Sequence, residues 1–177
     1  MDNRICEMSA LLPSAIVKIA SAEIGTEEVK GSNCGPRVNQ YKAATNLDPK
    51  EAWPWCAAFV CWVVRESLKA TGVKETATFK RPTTAGALDL ENWSLRQDDS
   101  TQTRVPPRKA DLLPGDIITF KFQTGGHTGF AVSAPDKNGD FYSVEGNTDQ
   151  AGSREGGGVF RKRRNVSQLH GRIRFTV

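Results

Sequence analysis

The stretch HTGFAVSAPDKNGDFYSVEGNT runs from His127 to Thr148. Two alternating runs flank the turn-forming PDKNGD, which is the signature of an antiparallel hairpin. In the first run His127, Gly129, Ala131 and Ser133 point one way, and Thr128, Phe130 and Val132 point the other. In the second, Ser143, Glu145 and Asn147 oppose Tyr142 and Val144. The length of the turn decides whether the two polar sets meet. A two-residue Asn138-Gly139 turn pairs 137 with 140 and sends Glu145 and Asn147 to the face away from His127, because a one-residue slip flips every side chain. A three-residue loop with Gly139 left-handed pairs 136 with 140, sets 129 opposite 147 and restores the shared face. That longer loop, or an equivalent bulge, is the expectation.

Outward from the hairpin, DIITFKF, GVFRKRRNV and GRIRFTV show the same period of two, which makes five strands. The polar stretch Gln97 to Lys109, with Pro106 and Pro107, reads as an exposed crossing loop. The first half is helical in pattern. One helix is expected over about Pro13 to Ile24, with Ile16, Ile19, Ala20 and Ile24 near helical spacing, and a second over about Pro36 to Ala44. A third starts near Pro54, stops at Gly72 and is apolar on nearly every side, so it is expected to be buried. TTAGALDLENW reads as a short fourth helix opened by Thr83 or Thr84. Helices first and strands second give an α+β fold, with N-terminal helices packed on a C-terminal antiparallel sheet of about five strands. One domain is expected over 1–177, with 1–12 a loose leading segment at most.

At 177 residues the chain can bury a real core. No apolar run approaches the roughly 20 residues of a membrane span. The N-terminus makes a poor signal peptide, since Asp2 and Glu7 spoil a basic leader and Pro13 and Lys18 interrupt the apolar part. The formal charge is +4, and the excess lies after Ala151, where Arg154, Arg161, Lys162, Arg163, Arg164, Arg172 and Arg174 face Glu155 alone. Two readings of that tail stand: an anionic partner, or a strand edge kept basic against aggregation. Nucleic acid is the weaker partner, because only Phe160 and Phe175 interleave the basic residues.

The four cysteines, Cys6, Cys34, Cys56 and Cys61, form no CxxC pair, and with two histidines no zinc cluster is expected. Cys6–Cys34 is open as a disulfide. Cys56 falls in the first turn of the buried helix, where unpaired N–H groups and the helix dipole favour a thiolate. Cys61 lies more than a turn further in on another face and reads as packing. A nucleophilic cysteine needs a base and an orienting group. His127 follows two glycines, Gly125 and Gly126, that let a backbone approach closely. The small residues on its face invite the Cys56 helix to pack there, with Glu145 or Asn147 behind the imidazole. Trp53 and Trp55 line either the cleft or the core.

With these residues on the page, the sequence resembles a CHAP domain, the cysteine-histidine amidohydrolase/peptidase group within the NlpC/P60 and papain-like folds. The resemblance rests on WPWCAAFVCWVV with Cys56, on LLPGDIITF leading to GGHTGFAVS with His127, and on FYSVEGNT with Glu145 and Asn147. It covers about Ile16 to Val177. It implies cleavage of a peptidoglycan amide bond, either as an N-acetylmuramoyl-L-alanine amidase or as a peptide endopeptidase. It makes Cys56 the nucleophile, His127 its base, Glu145 the orienting charge and Asn147 a supporting residue, with Trp53, Trp55 and Gly126 at the substrate. The Cys56 N–H becomes an oxyanion donor. Some members bind calcium through closely spaced aspartates before the cysteine; here NLDPKEAWPWC has only Asp48 and Glu51, so no metal and no other cofactor is expected. The side-chain partner of the oxyanion hole is not visible, since Lys50 and Glu51 stand where a glutamine is sought. The settings implied are a phage-type lysin released through a holin, or an antibacterial effector delivered by a secretion machine and paired with an immunity protein that plugs the cleft. Both are made in the cytoplasm and act in the periplasm or wall as monomers. The rival readings are a non-catalytic stem-peptide binder on the same fold and a module that binds nucleic acid or another anionic polymer through the basic strands.

Overall fold

The computed structural model describes residues 3–105, 107–151 and 156–177, with 3–10 and 109 described by backbone alone. Four helices precede most of the sheet: α1 Asn3–Ala22, α2 Pro36–Lys42, α3 Cys56–Thr71 and α4 Asp89–Ser94. Six strands follow: β1 Thr101–Arg104, β2 Ile117–Phe122, β3 Gly125–Ala131, β4 Asp140–Thr148, β5 Gly158–Asn165 and β6 Gly171–Phe175. They form one antiparallel sheet in the order β1-β6-β2-β3-β4-β5. The fold is α+β, as the sequence pattern implies, and papain-like, as the resemblance implies.

The core lies between the helices and one face of the sheet. In α3 every residue from Cys56 to Val64 is buried, which explains why its apolar residues follow no single stripe. Phe59 meets Phe130 of β3 edge-on, with ring centroids 6.3 Å apart. Gly72 closes the helix in the left-handed conformation, φ 74°. Leu12, Ile16 and Ala20 bring one face of α1 onto the same core. A smaller cluster of Leu112, Ile118, Phe120, Ala131, Phe141 and Leu169 covers the opposite face.

Three elements depart from the sequence expectation. The first helix begins at Asn3 and keeps Pro13 inside it. α4 begins at Asp89, because the Thr84 hydroxyl accepts from the Gly86 N–H, 3.1 Å, in a local turn instead of opening the helix. The expected crossing loop contains β1, a polar four-residue strand paired to β6 along one edge, and its Pro106 lies outside the described residues.

Candidate active site

The hairpin brings His127 and Glu145 together through the longer of the two turns considered, followed by a slip in register. At its tip the Asp136 N–H donates to the Asp140 carbonyl, 2.8 Å, with Gly139 left-handed at φ 88°. That is the three-residue loop. Further along, Val132 N–H donates to Tyr142 O, and Ser133 Oγ takes the Tyr142 N–H. The rungs therefore become Gly129↔Glu145, Phe130↔Val144 and Ala131↔Ser143, and not 129 opposite 147. The slip is two residues, an even number, so His127 and Glu145 keep a common face.

The small residues of that face do not receive α3. Phe130 and Val144 pack on the helix, and a Cβ on Gly146 would strike Phe59 and Trp55. His127 points to the opposite side, where a Cβ on Gly129 would strike Glu145 Cγ and Val144 O, each at 2.6 Å. The glycine makes room for the carboxylate. Contact between the helix and His127 is made at the helix's N-terminal end, by Cys56.

His127 and Glu145 are both fully buried and joined Nε2 to Oε2 at 2.9 Å. Burial alone would push Glu145 up, but hydrogen bonds from Arg164 and His127, and their charges, bring its pKa down to about 2. Burial likewise pushes His127 down. The Cys56 and Glu145 hydrogen bonds and charges more than offset that and raise it to about 9. Its Nδ1 makes no geometrically complete hydrogen bond, although the Cys56 thiol acts strongly on the ring. Cys56 is the first helical residue, so its own N–H has no partner within the helix. Cys61 sits a turn and a half along, its thiol on the Thr84 carbonyl at 3.3 Å, and burial pushes its pKa up to about 12.

Arg164 and Ser143 complete the site and were not singled out in the sequence. Arg164 grips both Glu145 oxygens, Nε to Oε1 at 2.8 Å and Nη2 to Oε2 at 2.6 Å. Ser143 Oγ donates to Oε1 at 2.5 Å. Alternation within RKRR was the available signal, since Lys162 and Arg164 share the Glu145 face while Arg161 and Arg163 point away. Much of the basic tail is paired internally: Arg163 with Asp140, Arg174 with Asp116, and Lys162 with the carbonyls of Asp149 and Gln150. Arg154 and Glu155 lie outside the described residues. Asn147 is buried at a bulge where the β4–β5 pairing gains one residue, with φ 56°.

The remaining expected residues fall differently. Trp55 is fully buried, stacked on Tyr41 with its indole N–H on Glu28 at 2.8 Å, so it belongs to the core and lines no cleft. Gly126 gives close approach to the chain's own Leu88, whose Cγ lies 2.7 Å from where a Cβ would stand. Trp53 is partly buried and donates to the Asp48 carbonyl at 2.9 Å. A cleft of about 610 Å³ between Thr83–Gly86 and Arg96 includes neither Cys56 nor His127.

The segment before the cysteine does not fit a calcium ion. Asp48 Oδ1 is taken by the Lys50 N–H at 2.8 Å. The fully buried Lys42 ammonium donates to the carbonyls of Glu51, 2.5 Å, and Asn33, 2.9 Å, placing a fixed positive charge where those carbonyls converge. It also lies 3.5 Å from the Cys34 thiol. Cys34 is a free thiol, so the Cys6–Cys34 disulfide left open by the sequence is not formed; the Cys6 side chain itself lies outside the described residues.

A family model for the CHAP domain matches residues 48–147, which include Cys56, His127, Glu145 and Asn147. The chain belongs to the CHAP domain family. Among solved structures, this CHAP domain is similar to the wild-type endolysin LysIME-EF1, at 14% identity and TM-score 0.51. It is also similar to Ly7917, at 16% identity and TM-score 0.52, and to Ly7917 with the hydrolysing product of MDP, at 14% and 0.51. Each alignment covers 92% of this chain and only 62–63% of the other, so the CHAP domain here spans less than two thirds of those chains. At such identities the likeness is one of fold. Among curated proteins the comparison finds no match.

Proposed function

We propose that this CHAP domain is a peptidoglycan hydrolase that cleaves an amide bond of the stem peptide by a thiol mechanism. The observation that carries the reading is the buried imidazole of His127, bonded to Glu145 at 2.9 Å and raised in pKa by Cys56 at the start of α3. The thiolate of Cys56 attacks the carbonyl carbon, and the oxyanion forms beside the unpaired Cys56 N–H. Protonated His127 gives its proton to the leaving amine as the carbon–nitrogen bond breaks. Water then loses a proton to His127, attacks the thioester and releases the acid and the thiol. Glu145 holds the imidazole in one tautomer, and Asn147 supports the site.

The fold shared with the endolysin LysIME-EF1, and with Ly7917 solved with the hydrolysing product of MDP, supports a cell-wall substrate. The same chemistry serves a phage-type lysin or an exported antibacterial effector, and an immunity protein occluding the cleft belongs to the second setting. Mass spectrometry of muropeptides after digestion of purified peptidoglycan tests the reading. Loss of the lactyl–alanine amide identifies an amidase, and a cut between amino acids identifies an endopeptidase. C56A is expected to abolish either product while C61A retains it; intact muropeptides from the parent, or digestion by C56A, would overturn the assignment.

A further inference from the structure

The Glu145 carboxylate is gripped from three other residues. Its two oxygens receive Arg164 twice, Ser143 once and His127 once, which fills the four acceptor positions of a carboxylate. Neutralising a buried carboxylate beside an imidazolium does not require a guanidinium as well. Arg164 adds a full positive charge on the side of Glu145 away from Cys56, through the planar two-pronged geometry that fixes a carboxylate in orientation. The Phe120 ring braces both ends of this arrangement, 4.8 Å from the guanidinium carbon and 5.9 Å from the imidazole centroid.

We propose that Arg164 is a positioning residue for the Cys56–His127 pair, acting through the Glu145 carboxylate that it clamps. The proposal rests on the reading of Cys56 as nucleophile and His127 as its base. In the attacking state the row then alternates thiolate, imidazolium, carboxylate and guanidinium, its first three members buried and the last partly so, and its charges sum to zero. Without the guanidinium the row carries one net negative charge, and Glu145 loses two of its four donors. A carboxylate released in this way can turn about its last bond and no longer holds the imidazole in a single orientation. Removing a positive charge also weakens every acid left in the row. The other charged groups nearby are committed elsewhere. Lys162 of β5, on the Glu145 face, donates to Asp149 and Gln150, Arg172 of β6 donates to Gln102 O, and Arg174 pairs with Asp116.

The test compares the parent with R164M and R164K in the full chain, each verified as folded by circular dichroism and thermal melting. The first readout, the rate of iodoacetamide alkylation at Cys56 against pH, needs no peptidoglycan. The second is kcat and KM on purified peptidoglycan. R164M is expected to move the alkylation profile upward by about one pH unit. It should lower kcat by at least about tenfold while KM stays within about twofold, since Arg164 does not touch substrate. R164K keeps the charge but not the fork, so its profile should return to the parent's while kcat stays depressed. Should R164M fail to fold, R164K against the parent carries the test, because it must separate profile from rate. A lowered Tm with unchanged profile and unchanged kcat would make Arg164 merely structural and overturn the proposal. A shifted profile in a protein that never cuts peptidoglycan would keep Arg164 in its role and remove the hydrolase reading instead.

Discussion

Replacing Glu145 with Gln gives a prediction whose size follows from the burial and bonding of one carboxylate. Its pKa falls from an ordinary 4.5 to about 2 in the folded chain. At about 1.4 kcal/mol per pH unit, the ionised carboxylate contributes on the order of 3 kcal/mol to stability. Because the folded value is depressed, that contribution is present above the unfolded pKa and is lost as pH falls from about 4.5 toward about 2. His127 behaves oppositely. Raised from 6.5 to about 9, it contributes fully below 6.5 and loses the contribution as pH rises through about 9. The two shifts describe one shared bond, so they are not added. E145Q keeps the shape but removes the charge and leaves the partly buried Arg164 beside an amide. Urea unfolding of parent and E145Q across pH should therefore show a gap of about 3 kcal/mol near neutrality that closes toward pH 2. It should also show a weaker alkaline loss in E145Q, where only Cys56 still lifts the imidazole. A gap that stays constant from neutrality down to pH 2 would refute the ionised, paired carboxylate on which the site depends.

Other substitutions probe separate parts. G129A drives a methyl against the Val144 carbonyl and Glu145 Cγ, both 2.6 Å away, and only the side chain can yield; hydrolysis should drop about 100-fold in a protein that still melts cooperatively. F59A empties the contact between α3 and Phe130 and should cost about 3–5 kcal/mol, read by urea denaturation. K42M leaves the Asn33 and Glu51 carbonyls without their buried donor, at about 1–3 kcal/mol, and should sharply increase proteolysis within 48–53.

The strands from Ile117 onward were legible because each alternates, and α3 because its apolar run has no polar face to misplace. β1 was not: TQTR carries no apolar residue, and it is held by pairing to β6 and by hydrogen bonds of Thr101 and Thr103 with Ser94 of α4. The face that carries the candidate site was half legible. Alternation put His127 and Glu145 together, but Gly129 was read as room for a helix when it is room for the Glu145 side chain. Arg164 was hidden by summing charge over the tail. The sum says basic, whereas the alternation says that every second residue turns inward. Trp55 carried no local signal to separate cleft from core, because its burial depends on Tyr41, which comes from a different helix.

The two-residue slip between the hairpin tip and the rungs at Gly129 and Glu145 has a consequence for how this domain can change over time. Insertions and deletions in 133–139 are free to accumulate in pairs, since each pair restores the same face to the catalytic strand. A single gained or lost residue turns the carboxylate away from its histidine unless a compensating bulge arises with it. The surface turn farthest from the chemistry in sequence pattern is thus subject to a parity rule that its exposure alone would not suggest.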